Sequence, residues 1–346
     1  MFGRPCSKFE RKKRSVEFLR PVLLGVCAAF FFAVTFILNR SMELSGGSWI
    51  WSAVLRYVFM VPFLLVIVLA RKNFQVLWKE MKKHPFQWLL WSFFGFVLFY
   101  APLCFSAAYA PGWLVAGTWQ ITILSGSLLA PFFYKMVQTP EGPVRIREKI
   151  PFRGLRWSLL ILLGVFLMQL EQAGRISLHQ IALGVLPVLV ATFAYPLGNR
   201  KMMDLCKGRL DTFQRVLGMT LASLPFWFAL SLYGLLTAGA PSKSQVMQSG
   251  IVAIFSGVVA TVLFFKATDL VRGDMAKLSL VEATQSLEVL FALFGEIALL
   301  SIPAPPLVSW AGILTVVAGM VLHSLTSRKT EKPVVAYEMD KSETSG

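Results

Sequence analysis

Charge is scarce in this sequence and unevenly signed. Only 15% of its 346 residues are Asp, Glu, Lys or Arg, against 56% that are hydrophobic. That balance leaves too little polar surface to cover a water-soluble domain of this length. Acidic residues are the scarcer sign, 18 against 34 basic ones. Cysteine is confined to Cys6, Cys27, Cys104 and Cys206. No two form a Cys-x-x-Cys pair, so the spacing offers neither a zinc site nor a disulfide framework. The three histidines, His84, His179 and His323, are scattered, and no cluster of bases or ligands marks a catalytic centre. A Gly-x-x-x-x-Gly-Lys-Ser/Thr phosphate loop is missing as well, which argues against nucleotide hydrolysis by this chain. Nothing here calls for a cofactor.

Long apolar runs are what the sequence has instead. Pro21 to Leu38 and Pro305 to Ser327 match the roughly 20 residues that cross a hydrocarbon core about 30 Å thick. Backbone groups in lipid must pair within their own segment or within a closed barrel, and these runs lack the alternation of barrel strands. Ten transmembrane helices are predicted, near residues 20–39, 49–70, 86–109, 113–134, 157–171, 178–198, 213–236, 250–268, 276–300 and 305–326. The fold class is therefore all-α integral membrane, with the lipid bilayer as an obligatory partner. Residues 1–19 read as a basic tail, and 327–346, polar and without apolar periodicity, as a disordered cytoplasmic tail. The stretch 135–156, with Pro140, Gly142, Pro143 and Pro151, reads as a flexible linker on the membrane surface. Arg11 to Arg14 before the first apolar run imitate a signal peptide. The run is too long, however, and Asn39-Arg40-Ser41-Met42-Glu43 is no small-x-small cleavage site, so the first helix is expected to stay as an anchor.

A net charge of +16 could signal nucleic-acid binding if it lay on one stripe. It alternates along the chain instead. With the ten helices placed, 28 of the 34 Lys and Arg residues fall on one side. Only Arg40, Arg175 and Lys243 fall on the other, and Arg56, Arg215 and Lys266 lie within helices. Short basic loops stay in the cytoplasm, so both termini are expected inside and no nucleic-acid partner is implied.

The halves echo one another. Gly25-Val26 recurs as Gly184-Val185, Asn39-Arg40-Ser41-Met42 as Asn199-Arg200-Lys201-Met202, Arg56 as Arg215, and Gln120 as Gln285. Their common order and near-constant offset divide the chain into five-helix units over 20–171 and 178–326. Five is odd, so the second unit enters the membrane with opposite orientation. Inverted repeats of this kind build secondary transporters, with the solute site near the midplane between the halves.

Leu280-Val281-Glu282-Ala283-Thr284-Gln285, Phe294-Gly295-Glu296, Pro305-Pro306, Gly312-Ile313-Leu314 and Gly319 carry a resemblance that spans nearly the whole chain. The sequence resembles the EamA-like ten-helix group of the drug/metabolite transporter (DMT) superfamily, which includes multidrug resistance efflux transporters. The first half has Ala130-Pro131 where the second has Gly295-Glu296, and helix 1 lacks the carboxylate that the related four-helix small multidrug exporters carry there. The resemblance implies a transporter fold and, as partners, a small organic or drug-like solute with a coupling proton or other ion.

Ionisable groups at mid-membrane cost on the order of 2.5–3.5 kcal/mol on insertion scales, so the few present are candidate functional residues. At about 100° per residue, Glu282, Gln285, Ser286, Val289, Leu293 and Glu296 share a helix-9 face, with Glu288 about 60° away. Glu282 or Glu288 is the candidate for binding a proton or cation. Gln285, with Gln120 opposite, is the candidate for hydrogen-bonding the solute. Lys266 is expected deep in helix 8, paired with Glu282 or Glu288 as a clasp or a charge switch. Arg56 can attract an anionic group. Arg215 and Glu296, near helix ends, are expected to snorkel. Trp119 and Tyr195 fit the interfacial aromatic belt poorly and are candidates for stacking on a flat or cationic solute. The reading from sequence is a secondary transporter in the plasma membrane, not an enzyme. A polytopic enzyme acting on a lipid-linked substrate is the alternative.

Overall fold

A computed structural model describes residues 8–139, 142–150, 152–173, 178–271 and 275–329. The architecture is a bundle of α-helices. Seven helical spans are long and apolar enough to cross a membrane: Leu19–Leu44, Trp49–Ala70, Pro85–Tyr109, Ala182–Cys206, Thr212–Thr237, Lys243–Leu270 and Leu280–Leu300. Two shorter apolar stretches, Leu159–Met168 and Leu307–Leu322, accompany them. Large apolar side chains such as Leu23, Val66, Leu159, Phe228, Leu299 and Leu314 point outward and are exposed, as hydrocarbon requires and water forbids.

The first two helices are α1 (Lys8–Leu44) and α2 (Trp49–Ala70), followed by a short amphipathic α3 (Phe74–Lys83). The third span joins α4 (Pro85–Ser92) to α5 (Leu98–Tyr109) through a π-helical segment at Phe93–Val97. The next segment is interrupted: α6 (Gly112–Trp119) and α7 (Thr122–Leu128) flank a turn at Gln120 and Ile121. Then follow α8 (Phe152–Ala173), α9 (Leu178–Cys206) and α10 (Thr212–Thr237). A second π segment, Ala253–Ala260, joins α11 (Lys243–Val252) to α12 (Thr261–Leu270). A 3-10 turn at Thr284–Ser286 separates α13 (Met275–Ala283) from α14 (Leu287–Leu300), and α15 (Leu307–Lys329) ends the described chain. Both kinds of interruption leave backbone groups outside the regular α-helical ladder and recur at functional sites.

Local chemistry sets the boundaries. Ser48 caps α2 by accepting from Ile50 N, and Ser242 caps α11 by accepting from Gln245 N. Asp211 and Gln214 form a reciprocal capping box that starts α10, satisfying amide donors that a helix start leaves free. α9 runs past its predicted end at residue 198, because nothing breaks it before Lys207 and Gly208, which adopt φ of 47° and 75°. Arg200 thereby joins the membrane helix instead of the loop. The expected flexible linker holds an antiparallel hairpin, β1 (Tyr134–Thr139) with β2 (Gly142–Arg147). Cys6, Pro140, Pro151, Arg175, part of the basic tail, the junction between the halves and most of the C-terminal tail (330–346) lie outside the described residues.

α2 packs along α10, α8 along α15, and α5 along α9, while α1 lies against α12 and α14. Glycines permit the closest approaches. A Cβ at Gly198 would stand 2.2 Å from Gly95 N, and one at Gly164 would stand 2.6 Å from Gly312 O. Small residues at such crossings let helix backbones meet where no hydrophobic effect drives association.

Candidate functional site

The two interrupted segments meet inside the bundle. Gln120, at the α6–α7 break and 1% exposed, donates from Nε2 to Ala116 O (3.0 Å) and to Gln285 O (3.1 Å) at the α13–α14 break. Gln285 donates from Nε2 to Gly25 O at 3.3 Å. Its side-chain oxygen takes no hydrogen bond among the described residues. Gln120 thus ties the α6–α7 break to a carbonyl of the α13–α14 break, and Gln285 ties the latter to α1, where a buried unpaired group would be costly. Gln120 is a structural tie and does not reach the cavity described next, whereas Gln285 lines it.

Beside these breaks lies a cavity of about 60 Å³. It is narrow and largely apolar. Phe99, Trp119, Tyr195 and Phe264 form a connected ring cluster on its wall. The Phe99 centroid stands 5.0 Å from Trp119 and 4.6 Å from Tyr195; Tyr195 stands 5.4 Å from Trp119 and 6.4 Å from Phe264. Such tilted and edge-on contacts are the favoured aromatic arrangements. Trp119 and Tyr195 are thereby brought together, along with Arg56, Glu282, Gln285 and Glu288.

Charges in the wall fall into two kinds. Arg200 Nη2 donates to Glu282 Oε1 at 2.8 Å and Oε2 at 3.1 Å, and its Nη1 to Gly126 O at 2.7 Å. Arg215, 4% exposed at its side chain, pairs with Asp269 at 2.7 Å. These pairs are matched. Arg56 and Glu288, each 2% exposed, are not. Arg56 donates from Nη2 to Ser256 Oγ at 3.0 Å. Its guanidinium carbon lies 4.0 Å from the Tyr100 ring centroid and 5.6 Å from that of Tyr57. Its Nε is buried without a partner. Glu288 makes no hydrogen bond and no ion pair among the described residues. Asn199, also on the wall, has both amide atoms buried and unpartnered.

Three expectations are corrected. Lys266 is exposed and makes no ion pair among the described residues; it lies on an outward face of α12, so it clasps neither Glu282 nor Glu288. Arg215 does not snorkel, because Asp269 on α12 is close enough to neutralise it in place. Glu296 does not snorkel either. It is fully buried and accepts from Gly112 N (2.9 Å) and Trp113 N (3.1 Å), capping α6. Sequence reasoning missed Arg200 as the partner of Glu282. The signal was the recurring Asn-Arg pair, hidden once helix 6 was ended at residue 198. Asn199 belongs to the same recurring pair, whereas Phe99 and Ser256 carried no signal apart from being apolar or small in apolar runs.

Residues 19–329 match the family described as "EmrE: Putative multidrug resistance efflux transporter". The chain is 58% identical over 316 residues to "Uncharacterized protein YjlA" of Bacillus subtilis (strain 168), covering 91% of this chain and 98% of that one. It is 53% identical over 268 residues to "Uncharacterized 42.1 kDa protein in intracellular alkaline protease 3'region" of Shouchella clausii, covering 78% and 70% respectively. A solved crystal structure superimposes with a TM-score of 0.63 at 15% identity, covering 89% of this chain and 98% of its own, which establishes likeness of fold.

Proposed function

The chain belongs to the EmrE-like family of multidrug resistance efflux transporters, multi-pass proteins of the cell membrane, and from that premise we propose that it is a secondary active transporter exporting a small organic solute. Solute passes by alternating access through the aromatic-walled cavity, coupled to a proton at Glu288. The observation that carries this reading is the pair of buried ionisable groups, Arg56 and Glu288, which form no salt bridge among the described residues, in a cavity next to two broken helices. A buried charge without a partner is expensive and is kept where a ligand or proton completes it. Family membership favours transport over catalysis.

Ten crossings in two inverted five-helix units, 20–171 and 178–326, are part of the proposal. The seven long spans, the two shorter ones and the interrupted α6–α7 segment supply ten. Each half has a π segment in its third member (Phe93–Val97, Ala253–Ala260) and a break in its fourth (Gln120–Ile121, Thr284–Ser286). A two-fold axis would pair second helix with second and fifth with fifth, in line with α2 on α10 and α8 on α15. With both termini inside, the cavity wall descends from Glu288 and Arg56 to Arg200, Met203 and Arg215 near the cytoplasmic end. The outer ends are tied by Gln245 Nε2 to Ser48 O (2.6 Å) and Ser52 Oγ (3.1 Å), and by Trp51 Nε1 to Gly239 O (2.8 Å). This arrangement is read as an inward-facing state.

The test is solute flux in proteoliposomes across a broad panel of small organic compounds, with and without an imposed pH gradient. Flux is expected for some members, and its response to the gradient is expected to vanish in E288Q. Absence of flux throughout the panel overturns the transport reading. Flux in E288Q with an unchanged gradient response removes Glu288 from coupling.

A further inference from the structure

Outside the membrane spans, α3 carries chemistry that neither the cavity nor the helix crossings use. Its inner side is apolar: Leu77 is fully buried, with Phe74 and Met81 packed against the core beside it. At about 100° per residue, the opposite arc runs through Trp78, Lys82, Lys79, Lys83 and Val76. All five are exposed, Trp78 by 47% and Val76 by 46%. Lysines thus hold the middle of the outward arc, and an apolar side chain flanks them on each edge. Neither end of α3 can leave the membrane surface, because one span ends at Ala70 and the next begins at Pro85.

Positive charge on this arc is in excess. The helix has a single carboxylate, Glu80, and both of its oxygens are taken. Oε1 accepts from Lys83 Nζ at 2.8 Å, and Oε2 accepts from Arg209 Nε and Nη2 at 3.1 and 3.0 Å. Lys79 and Lys82 make no ion pair among the described residues. Lys82 Nζ stands 5.2 Å from the centroid of the Trp78 ring, which itself stacks on Phe74 at 6.4 Å. An open hollow of about 410 Å³ is lined by Val76, Lys79, Glu80, Lys82 and Lys83. Ammonium groups gathered round one hollow repel one another, and an anion placed among them relieves that repulsion.

We propose that this face of α3 binds the phosphate group of an anionic phospholipid in the adjoining leaflet, with Lys79 and Lys82 as its contacts. Two observations favour a lipid over a dissolved anion. Trp78 and Val76 offer exposed apolar surface that a hydrated ion cannot use, and a tryptophan half out of the protein suits the headgroup level. The tether to a span at each end keeps the lysines beside the membrane, where a basic cluster draws anionic lipid within about a Debye length. α3 is also joined to the second half of the chain, by Arg209 on Glu80 and by Gln214 Nε2 donating to Asn73 O at 2.8 Å. A headgroup held on α3 therefore stabilises the folded bundle, since it binds the folded arrangement and not the unfolded chain.

The experiment titrates the full-length protein in detergent with phosphatidylglycerol or phosphatidylcholine, reading bound lipid by native mass spectrometry and thermal unfolding by helix content. Phosphatidylglycerol is expected to bind at least about tenfold more tightly and to raise the unfolding temperature. K79Q/K82Q is expected to weaken that binding at least about fivefold. R145Q/K149Q removes the same charge from exposed positions on and just after β2 and is expected to stay within about twofold of wild type. Equal losses in the two double variants, no preference for phosphatidylglycerol, or its displacement by millimolar glycerol phosphate each overturns the proposal. If K79Q/K82Q fails to fold, amine acylation of the wild type decides: phosphatidylglycerol should slow labelling of Lys79 and Lys82 relative to Lys149, and unchanged rates overturn the site. None of these readouts measures flux, so the lipid site and the transport reading stand or fall separately.

Discussion

Replacing Glu296 by alanine tests whether its buried carboxylate holds the start of α6 in place. Glu296 is fully buried, and its two oxygens accept from Gly112 N and Trp113 N at 2.9 and 3.1 Å. Pro111, just before, has no N–H to offer, so these are the first donors of the helix. The approach is close: a Cβ on Gly112 would stand 2.6 Å from Glu296 Oε1 and 2.7 Å from Phe36 O. In E296A both amides lose their acceptor. At about 1–3 kcal/mol for each unsatisfied donor the loss is about 2–6 kcal/mol, with a further contribution from the negative charge at the helix N-terminus. E296Q keeps one acceptor oxygen and should lose about half as much. Equilibrium unfolding in mixed micelles titrated with SDS, followed by helix content, measures both. A change in E296A within about 0.5 kcal/mol of wild type, the ordinary range for inconsequential surface substitutions, would refute the capping argument.

Other substitutions probe other links. E282Q removes half of the part-buried ion pair that ties Arg200 to α13 and should lower folded stability by about 1.5–3 kcal/mol, the range for a hydrogen bond to a charged group; retention of wild-type unfolding would show the pair is dispensable. G198A drives a Cβ into the Gly95 backbone, which cannot rotate away, so folded yield after gel filtration should fall with a cost of at least about 1–3 kcal/mol. K266M, on an outward face, should leave yield and flux unchanged; a fall in either would restore a buried role for this lysine. On α3, outside the spans, the hydrogen bond from Lys83 and then that from Arg209 hold the Glu80 carboxyl below its usual range. Such a group stabilises the fold while ionised, above its ordinary value of about 4.3, and the contribution fades as pH falls through the lowered value. Acid should therefore cost the wild type stability that E80Q does not lose, as read from unfolding curves at several pH values.

Much of the site could be read without coordinates, and particular residues show why. Trp119, Tyr195, Gln285, Glu282, Glu288 and Arg56 were legible because polar or aromatic groups deep in apolar runs are rare enough to stand out. Lys266 stood out for the same reason and was misplaced. Hydropathy gives the depth of a side chain but not the direction it points around the helix axis; α12 turns Phe264 and Phe265 inward and Lys266 out. Glu296 and Arg215 were misread because snorkelling is the default near a helix end. That default fails where a neighbouring helix brings free amides or a carboxylate within reach. Arg200 was lost to a boundary error of a few residues, where polar composition looked like a loop and the chain stayed helical until Lys207 and Gly208.

What the sequence determined by itself is the membrane-embedded, helical character of the chain, because hydropathy, loop charge and helix caps act over a few neighbouring residues. Only the tertiary structure decided which charges are matched. Arg200 and Glu282 are 82 positions apart and Arg215 and Asp269 are 54 apart, and their meeting depends on how whole helices rotate and cross. The same packing buried Arg56 and Glu288 in the cavity wall with no salt bridge to either among the described residues.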